Sequence, residues 1–412
     1  MKILHISAAN SSAGAGIACV KLHEALINES VQSRILFLNK QSKNIINTSF
    51  YETTKVRKIK RILLTFADRI LLKYYTKRKP EIFSPGLFGI DLSTNEEVKQ
   101  ADVIHLHWIN HAFIDIKDLL KLNKPIVWTM HDCWIFTGGC HYFSSCDNFK
   151  NDCGKCQVLN STNTNDLSNY LFKRKRKYYS KLNIQFLAIS TWMKEQARQG
   201  SLLKNELIDV IPSGIDCNVY NFEVEDKGLR ESFNLKVDDT VVLMGAQHLN
   251  SPFKGVYLSV DALNKYNEKK LKIITFGGGE IVLSNSLHEV INFGFVSNPR
   301  EMANLYNVAD LFLCTSVAEG FGMTVAEAQC CGTPAIAFEE TGPSDIINHK
   351  TTGYLAKFKD VHDVVSGISY CLSNKFDRKS ISVESEKKFS IKNCAIKYNT
   401  IYKEILSEEK KE

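Results

Sequence analysis

The sequence predicts an α/β protein of two similar domains, each built on a parallel sheet. Three observations lead there. Short, nearly continuous apolar runs recur along the chain, as strands covered on both faces require. Segments with helical apolar spacing separate several of them, the alternation that places consecutive strands parallel. The chain has 412 residues, more than one ordinary core supports, and the alternation stops and restarts at "VIPSGID", residues 210–216.

The first unit begins with "MKILHISA", an apolar run ending in small residues. It feeds "ANSSAGAGIACVKLHEALIN", where Gly14 and Gly16 open a helical pattern. Strand, Gly loop and helix in that order begin an α/β sheet. "SRILFLN", "ADVIHLHW", "KPIVWTMH" and "IQFLAIS" read as further buried strands. Pro212 and Gly214 then form a joint, after which "VVLMGAQ", "LKIITFGGG", "EVINFGFV", "DLFLCTS" and "PAIAFEE" repeat the pattern. The expectation is two Rossmann-like domains facing a cleft. The N-terminal one covers 1–210 with a Cys-rich insertion at 133–156, and the C-terminal one covers 211–385. The charged stretch 386–412 is expected to be a helix packing back on the N-terminal domain.

Composition excludes several classes. With 44% hydrophobic and 24% charged residues the chain is ordinary globular material. No apolar run approaches the roughly 18–20 residues of a membrane span. Met1-Lys2 runs directly into "ILHIS" without a cleavage-type tail, so a cytoplasmic location is expected. Charge is uneven. Residues 1–210 hold 30 Lys/Arg against 18 Asp/Glu, a net of +12, while residues 211–412 hold 22 against 27, a net of −5. An anionic partner is therefore expected for the first half only.

The basic excess has a focus. Residues 55–79, "KVRKIKRILLTFADRILLKYYTKRK", carry ten basic residues and one acid, Asp68. Ile59, Ile62, Leu63, Phe66, Ile70 and Tyr74 recur at three- and four-residue steps, the pattern of a basic amphipathic helix. One reading is a helix lying on an anionic membrane, which puts the protein at the inner face of the plasma membrane. The other is a surface helix with its apolar face in the core. "KRKRK" at 173–177 reads as a solvated face.

The sharpest motif is "SVAEGFGMTVAEAQCCGTPAIAFEETGPSDII", residues 316–347. A strand ends, a Gly-rich loop follows, and a helix begins near Met323 and stops at Gly332. Gly320 and Gly322 leave N–H groups uncovered at that helix N-terminus, where amides and the helix dipole favour an anion. Glu319 sits just before the terminus and Glu327 about one turn inside. Amides for phosphate beside carboxylates for sugar hydroxyls are what a nucleotide-sugar site requires.

Glu319 and Glu327 also form an E-x7-E pair. With "IPSGID", Lys254-Gly255 and "TGP" at 341–343, they resemble the retaining GT-B glycosyltransferases of family 4, glycosyl transferases group 1. The resemblance covers nearly the whole chain. "VIHLHW" and "WTMHDCWIFTGGCHYF" with the cysteines after it resemble the branch that builds bacterial capsule, exopolysaccharide or O-antigen units. The resemblance implies a GT-B fold and a role for each matching residue. Glu319 bonds donor-sugar hydroxyls, and amides of Gly320, Phe321, Gly322 and Met323 hold the pyrophosphate. Glu327 accepts the ribose hydroxyls, and Lys254 neutralises the leaving diphosphate. Gly14 and Gly16 line the cleft beside that diphosphate, and His131 contacts donor sugar and acceptor. His105 and His107 stand equally as core or cleft residues.

The implied reaction moves a sugar from a nucleoside diphosphate to a lipid-linked acceptor, retaining configuration and needing no catalytic metal or other cofactor. Charge collects on the departing diphosphate, and preorganised donors there are worth on the order of 10²–10³ each. One departure concerns an Arg that many relatives carry before Lys-Gly. Here "VVLMGAQHLNSPFKG" has Gln247 and His248 instead.

Cys140, Cys146, Cys153 and Cys156 have spacings x5, x6 and x2, and the last pair has the spacing of a zinc knuckle. In a reducing compartment a structural zinc site is expected, with free thiols or a labile disulfide as alternatives. Cys133 reads as core. Two other functions are open to such a chain. A nucleotide-sugar 2-epimerase of the same architecture would act without an acceptor. A nucleic-acid-binding protein would use "KRKRK" and the knuckle but would not need Glu319 and Glu327, so no nucleic-acid partner is expected.

Overall fold

Both sheets form where the apolar runs lie. A computed structural model describes all residues except 13, 42–43, 144–145, 224–226 and 410–412. Two residues of the Cys-rich segment and the last three of the expected C-terminal helix thus lie outside the described residues. The chain divides into two compact units, residues 1–214 with 394–412, and residues 215–393.

The first unit holds a seven-stranded sheet: β1 Lys2–Ser7, β2 Gln32–Phe37, β3 Thr48–Phe50, β4 Val103–Leu106, β5 Ile126–Met130, β6 Ile184–Ala188 and β7 Ile208–Val210. The order is β3-β2-β1-β4-β5-β6-β7 and every pairing is parallel. Its helices are α1 Gly14–Asn28, α2 Lys55–Ile70, α3 Glu96–Gln100, α4 Leu167–Tyr179 and α5 Thr191–Gln199. Thr54, Asn95, Asp166 and Ser190 cap α2 to α5 by accepting first-turn amides. Strands β4 and β5 are buried throughout, and Trp128 of β5 packs among Trp134, Tyr179 and Phe186.

The second unit repeats the plan with β8 Val241–His248, β9 Lys272–Gly278, β10 Glu289–Gly294, β11 Leu311–Leu313, β12 Ala335–Phe338 and β13 Gly353–Ala356. Its parallel order is β10-β9-β8-β11-β12-β13. The helices are α6 Lys227–Ser232, α7 Val256–Lys265, α8 Pro299–Val308, α9 Met323–Cys330, α10 Val361–Ser373 and α11 Arg378–Phe389. The last helix, α12 Ile391–Glu409, joins the first unit from Cys394 onward. There the Tyr402 hydroxyl lies 2.7 Å from His105 Nδ1 and the Tyr398 hydroxyl 3.2 Å from Thr129 Oγ1. In each unit the strand order reverses once, between β1 and β4 and between β8 and β11. Ligands of open parallel sheets bind outside the carboxyl ends of strands at such reversals.

Three expectations need correction. The basic helix ends at Ile70, not near 79. A 3₁₀ turn at Leu71–Tyr74 follows, and the Lys79 amide donates to the Val158 carbonyl at 2.8 Å, drawing the chain off the helix axis. Nor does its apolar face enter the core: Ile59, Ile62, Leu63, Phe66, Ile70 and Tyr74 are 43% to 82% exposed. The buried residue of α2 is its acid, Asp68, whose carboxylate accepts the amides of Leu87 at 2.5 Å, Phe88 at 3.2 Å and Gly86 at 3.3 Å. "KRKRK" is only partly solvated, because α4 turns Lys175 inward while Lys173 and Lys177 stay exposed. Lys175 Nζ lies 3.6 Å over the Trp134 ring and donates to the carbonyls of Trp134 and Thr137. Burial pulls its pKa down to about 7. Arg174 and Arg176 pair with Asp115 and Asp152.

Asp68 therefore tethers α2 to the loop at 86–88. Asp68→Ala strands those amides, and an unsatisfied buried polar group costs about 1–3 kcal/mol. The expected result is a lower urea midpoint, with faster tryptic cleavage among the lysines and arginines of α2. An unchanged midpoint and cleavage pattern would show that the tether carries no load.

Candidate active site

In the second unit the site groups follow the two strands that flank the reversal. After β8 a 3₁₀ turn, Pro252–Lys254, is closed by the Lys254 amide donating to the Ser251 carbonyl at 3.1 Å. After β11 the loop to α9 is stitched to that turn, for the Val317 and Ala318 amides donate to the Phe253 carbonyl at 2.9 and 3.3 Å. The stitching brings Lys254 Nζ to 2.5 Å from Glu319 Oε2, with side chains 37% and 17% exposed. The Glu319 charge outweighs burial and raises the Lys254 pKa, so the ammonium is firmly held.

Helix α9 begins at Met323 behind Gly322, which has a φ of 100° that favours glycine. The "TGP" loop braces this terminus, its Gly342 amide donating to the Glu319 carbonyl at 2.9 Å. Glu327 lies inside α9 and is buried. The Tyr306 hydroxyl donates to its Oε2 at 3.4 Å, and the Tyr220 phenol also bonds it. Burial and the Glu327 charge hold both phenols protonated, so they remain donors to the carboxylate. Gln247 and His248 are exposed at the end of β8.

In the first unit the groups again follow the flanking strands. Gly16 is needed for close approach, since a Cβ there would stand 1.9 Å from the Asn10 carbonyl oxygen. Gly14 has open space beside it. His107 follows β4 and His131 follows β5, and with His5 of β1 they form a hydrogen-bonded file. His5 Nδ1 lies 2.9 Å from His107 Nε2, and His107 Nδ1 lies 2.9 Å from His131 Nε2. His105 turns the other way, its Nε2 2.8 Å from Thr129 Oγ1 and its Nδ1 on Tyr402. His5, His105 and His107 also bring three nitrogens within 4.8 Å of one another, but their closest pair already bonds internally.

The file has a direction. His5 Nε2 is buried without a partner, and a stranded N–H is the less tolerable occupant of such a place. His5 therefore carries its proton on Nδ1 and donates to His107. His107 in turn donates from Nδ1 to His131 Nε2, which leaves the His131 proton on Nδ1. Burial keeps His5, His105 and His107 neutral and brings His131 to about 4. At neutral pH His131 is thus an uncharged hydrogen-bonding group. Beside it, Asp132 accepts from the Trp134 amide at 2.8 Å and Trp108 Nε1 at 3.1 Å, and pairs with His141 Nδ1 at 2.6 Å. Burial opposes the Asp132 charge, but His141 and these donors hold its pKa below the usual carboxylate range.

The structure thus groups Lys254, Glu319, Gly320, Phe321, Gly322, Met323 and Glu327 in one unit, and Gly14, Gly16 and His131 in the other. Tyr220, Tyr306, His5, Asp132 and His141 escaped sequence reasoning. For the tyrosines no motif exists. For His5 the signal was a lone imidazole within an apolar strand.

The buried histidines set a pH dependence. Their folded pKa values lie below the unfolded value of about 6.5, so the unfolded chain binds more protons in between. Their stabilising contribution is complete above that value and is lost progressively as pH falls, through about 4 for His131. Each such proton adds a slope of about 1.4 kcal/mol per pH unit. Urea midpoints between pH 7 and 4.5 are expected to drop steeply, and a flat profile would contradict the neutral file.

Residues 59–219 match the family described as Glycosyltransferase Family 4, and residues 227–388 match Glycosyl transferases group 1. The chain is 22% identical over 375 residues to the putative colanic acid biosynthesis glycosyl transferase WcaC of Escherichia coli, covering 89% of each. Over 161 residues it is 30% identical to the putative glycosyltransferase EpsD of Bacillus subtilis, 36% of this chain and 41% of that one. Anabaena HepE, solved in complex with UDP and glucose, superposes with a TM-score of 0.66 at 16% identity over 98% of this chain and 100% of that one. The chain is a glycosyltransferase of the GT-B fold, with a Glycosyltransferase Family 4 domain followed by a glycosyl transferases group 1 domain.

Proposed function

We propose that the chain transfers a sugar, with retention of configuration, from a nucleoside-diphosphate sugar to a lipid-linked precursor of a surface polysaccharide. The observation that carries this is Lys254 held on Glu319 beside the N-terminus of α9. As the sugar–phosphate bond breaks, Lys254 and the amides from Gly320 to Met323 take up the charge growing on the diphosphate. Glu319 bonds the donor sugar, and Glu327, steadied by Tyr220 and Tyr306, accepts from the ribose. His131 offers a neutral hydrogen bond to the sugars. With Gln247 and His248 in place of an Arg, the diphosphate rests on Lys254 and the helix terminus. The likeness to a colanic acid transferase supports the polysaccharide reading.

Titration with UDP and GDP tests the donor site. Glu327→Ala removes a charged acceptor worth roughly 1.5–3 kcal/mol per bond, so binding is expected to weaken tenfold or more. Lys254→Ala and Glu319→Ala are expected to lower turnover more than affinity for the free diphosphate. Near-wild-type binding and turnover in all three would remove the assignment. The product's anomeric configuration, read by NMR, tests retention.

The acceptor side of the proposal rests on α2. Its apolar stripe is exposed, its flanks are basic, and a hollow of about 510 Å³ beside it is lined by Phe66, Ile70, Leu71, Leu87, Phe88 and Arg174. No described helix is long and apolar enough to cross a membrane. The helix suits peripheral contact with an anionic leaflet at the inner face of the plasma membrane, where each Lys or Arg contributes about 1 kcal/mol. The chain is expected to sediment with anionic vesicles, not neutral ones, and to be released by salt. Reversing Lys55, Lys58 and Lys60 to Glu, all exposed, should weaken this without unfolding. Indifference to anionic vesicles at low salt would point to an acceptor free in solution.

A further inference from the structure

We infer that Cys140, Cys146, Cys153 and Cys156 form a structural site for one thiophilic, tetrahedral divalent ion of the zinc kind, apart from the donor site. All four cysteines are free. Two stretches distant in sequence close around them. Phe83 bridges Cys140 in antiparallel fashion, and the Lys79 amide donates to the Val158 carbonyl at 2.8 Å. Between them a cavity of about 20 Å³ is lined by Cys140, Cys146 and Cys156 with Lys79 and Glu81. That is room for a single water-sized occupant.

These sulfurs differ from plain core thiols in having backbone donors around them. Backbone amides donate to three of them: Asn148 to Cys146, Gly138 to Cys153, and Val158 with Leu159 to Cys156. Amides that donate to a cysteine sulfur favour its thiolate, which is the form that binds metal, although burial still raises the pKa of Cys146 and Cys153, as the bond to Cys156 and burial do that of Cys140. The fourth sulfur, Cys140, bonds Cys156 directly. Lys79 lies near Cys146 and the buried Lys175 near Cys153. At the buried thiols of Cys19 and Cys371, by contrast, burial acts alone. Among the described residues the only three ligand atoms mutually within 4.8 Å are those of His5, His105 and His107, so no three of the four sulfurs are gathered that closely and holding an ion requires them to move inward.

The full chain, purified without a histidine tag, provides the test. Elemental analysis is expected to find about one zinc per chain, as a closed four-thiolate site holds. The four thiols should resist maleimide until a strong chelator is added, and the melting temperature should fall with the metal. Cys156→Ser and the half-exposed Cys146→Ser should each lose the zinc, the second guarding against a variant that fails to fold. A metal-free chain would overturn the proposal, whether its thiols are free or Cys140 and Cys156 are joined in a disulfide. So would zinc that survives both cysteine variants, which would move it to His5, His105 and His107.

Discussion

A parallel sheet covered on both faces has nowhere to put charge except at the ends of its strands. The central strands of both units obey that constraint, and the placement of chemistry follows from it. In the second unit Lys254 and Glu319 follow β8 and β11, the neighbours between which strand order reverses. In the first, the glycine loop and His107 follow β1 and β4, and His131 comes one strand farther on. Sites at a reversal need no special architecture, because the helices leave on opposite sides and open a gap there.

The two units solve their electrostatics differently. The second holds a full charge in place, since Lys254 stays ionised by resting on Glu319. In the first, the polar groups inside the sheet are discharged: the histidines are neutral and satisfy one another in a file. A file of this kind is rigid in a particular sense. Turning one ring to its other tautomer requires every ring to turn, so His131 is fixed by a residue two steps away in the core.

Much of this was legible in the sequence for a plain reason. Long apolar runs and the Gly-rich loop before α9 are local signals, and local signals survive without coordinates. The strands β3, β7 and β13 were missed because three or four residues carry no periodicity. The histidine file was missed because it depends on register: the pairing that sets His5 opposite His105 across β1 and β4 also brings it within reach of His107, and neither sequence window contains the other. Lys175 was misread for the opposite reason. Five like charges look solvated together, although a helix must send one of every few positions inward. Likewise the stripe of α2 gave the right helix face, while only the fold revealed that a buried Asp68 orients it outward.

Helix α12 has a consequence for the order of folding. The second unit is continuous in sequence, whereas the first borrows its final helix from beyond it. Until residues 394–409 leave the ribosome, His105 and Thr129 lack the hydroxyls of Tyr402 and Tyr398, and the apolar bed for Cys394 and Ala395 lies open. Domains usually complete themselves from the N-terminus onward during synthesis. Here the unit that is made first is the one that finishes last, and its half-built core must be tolerated through the translation of the whole second unit.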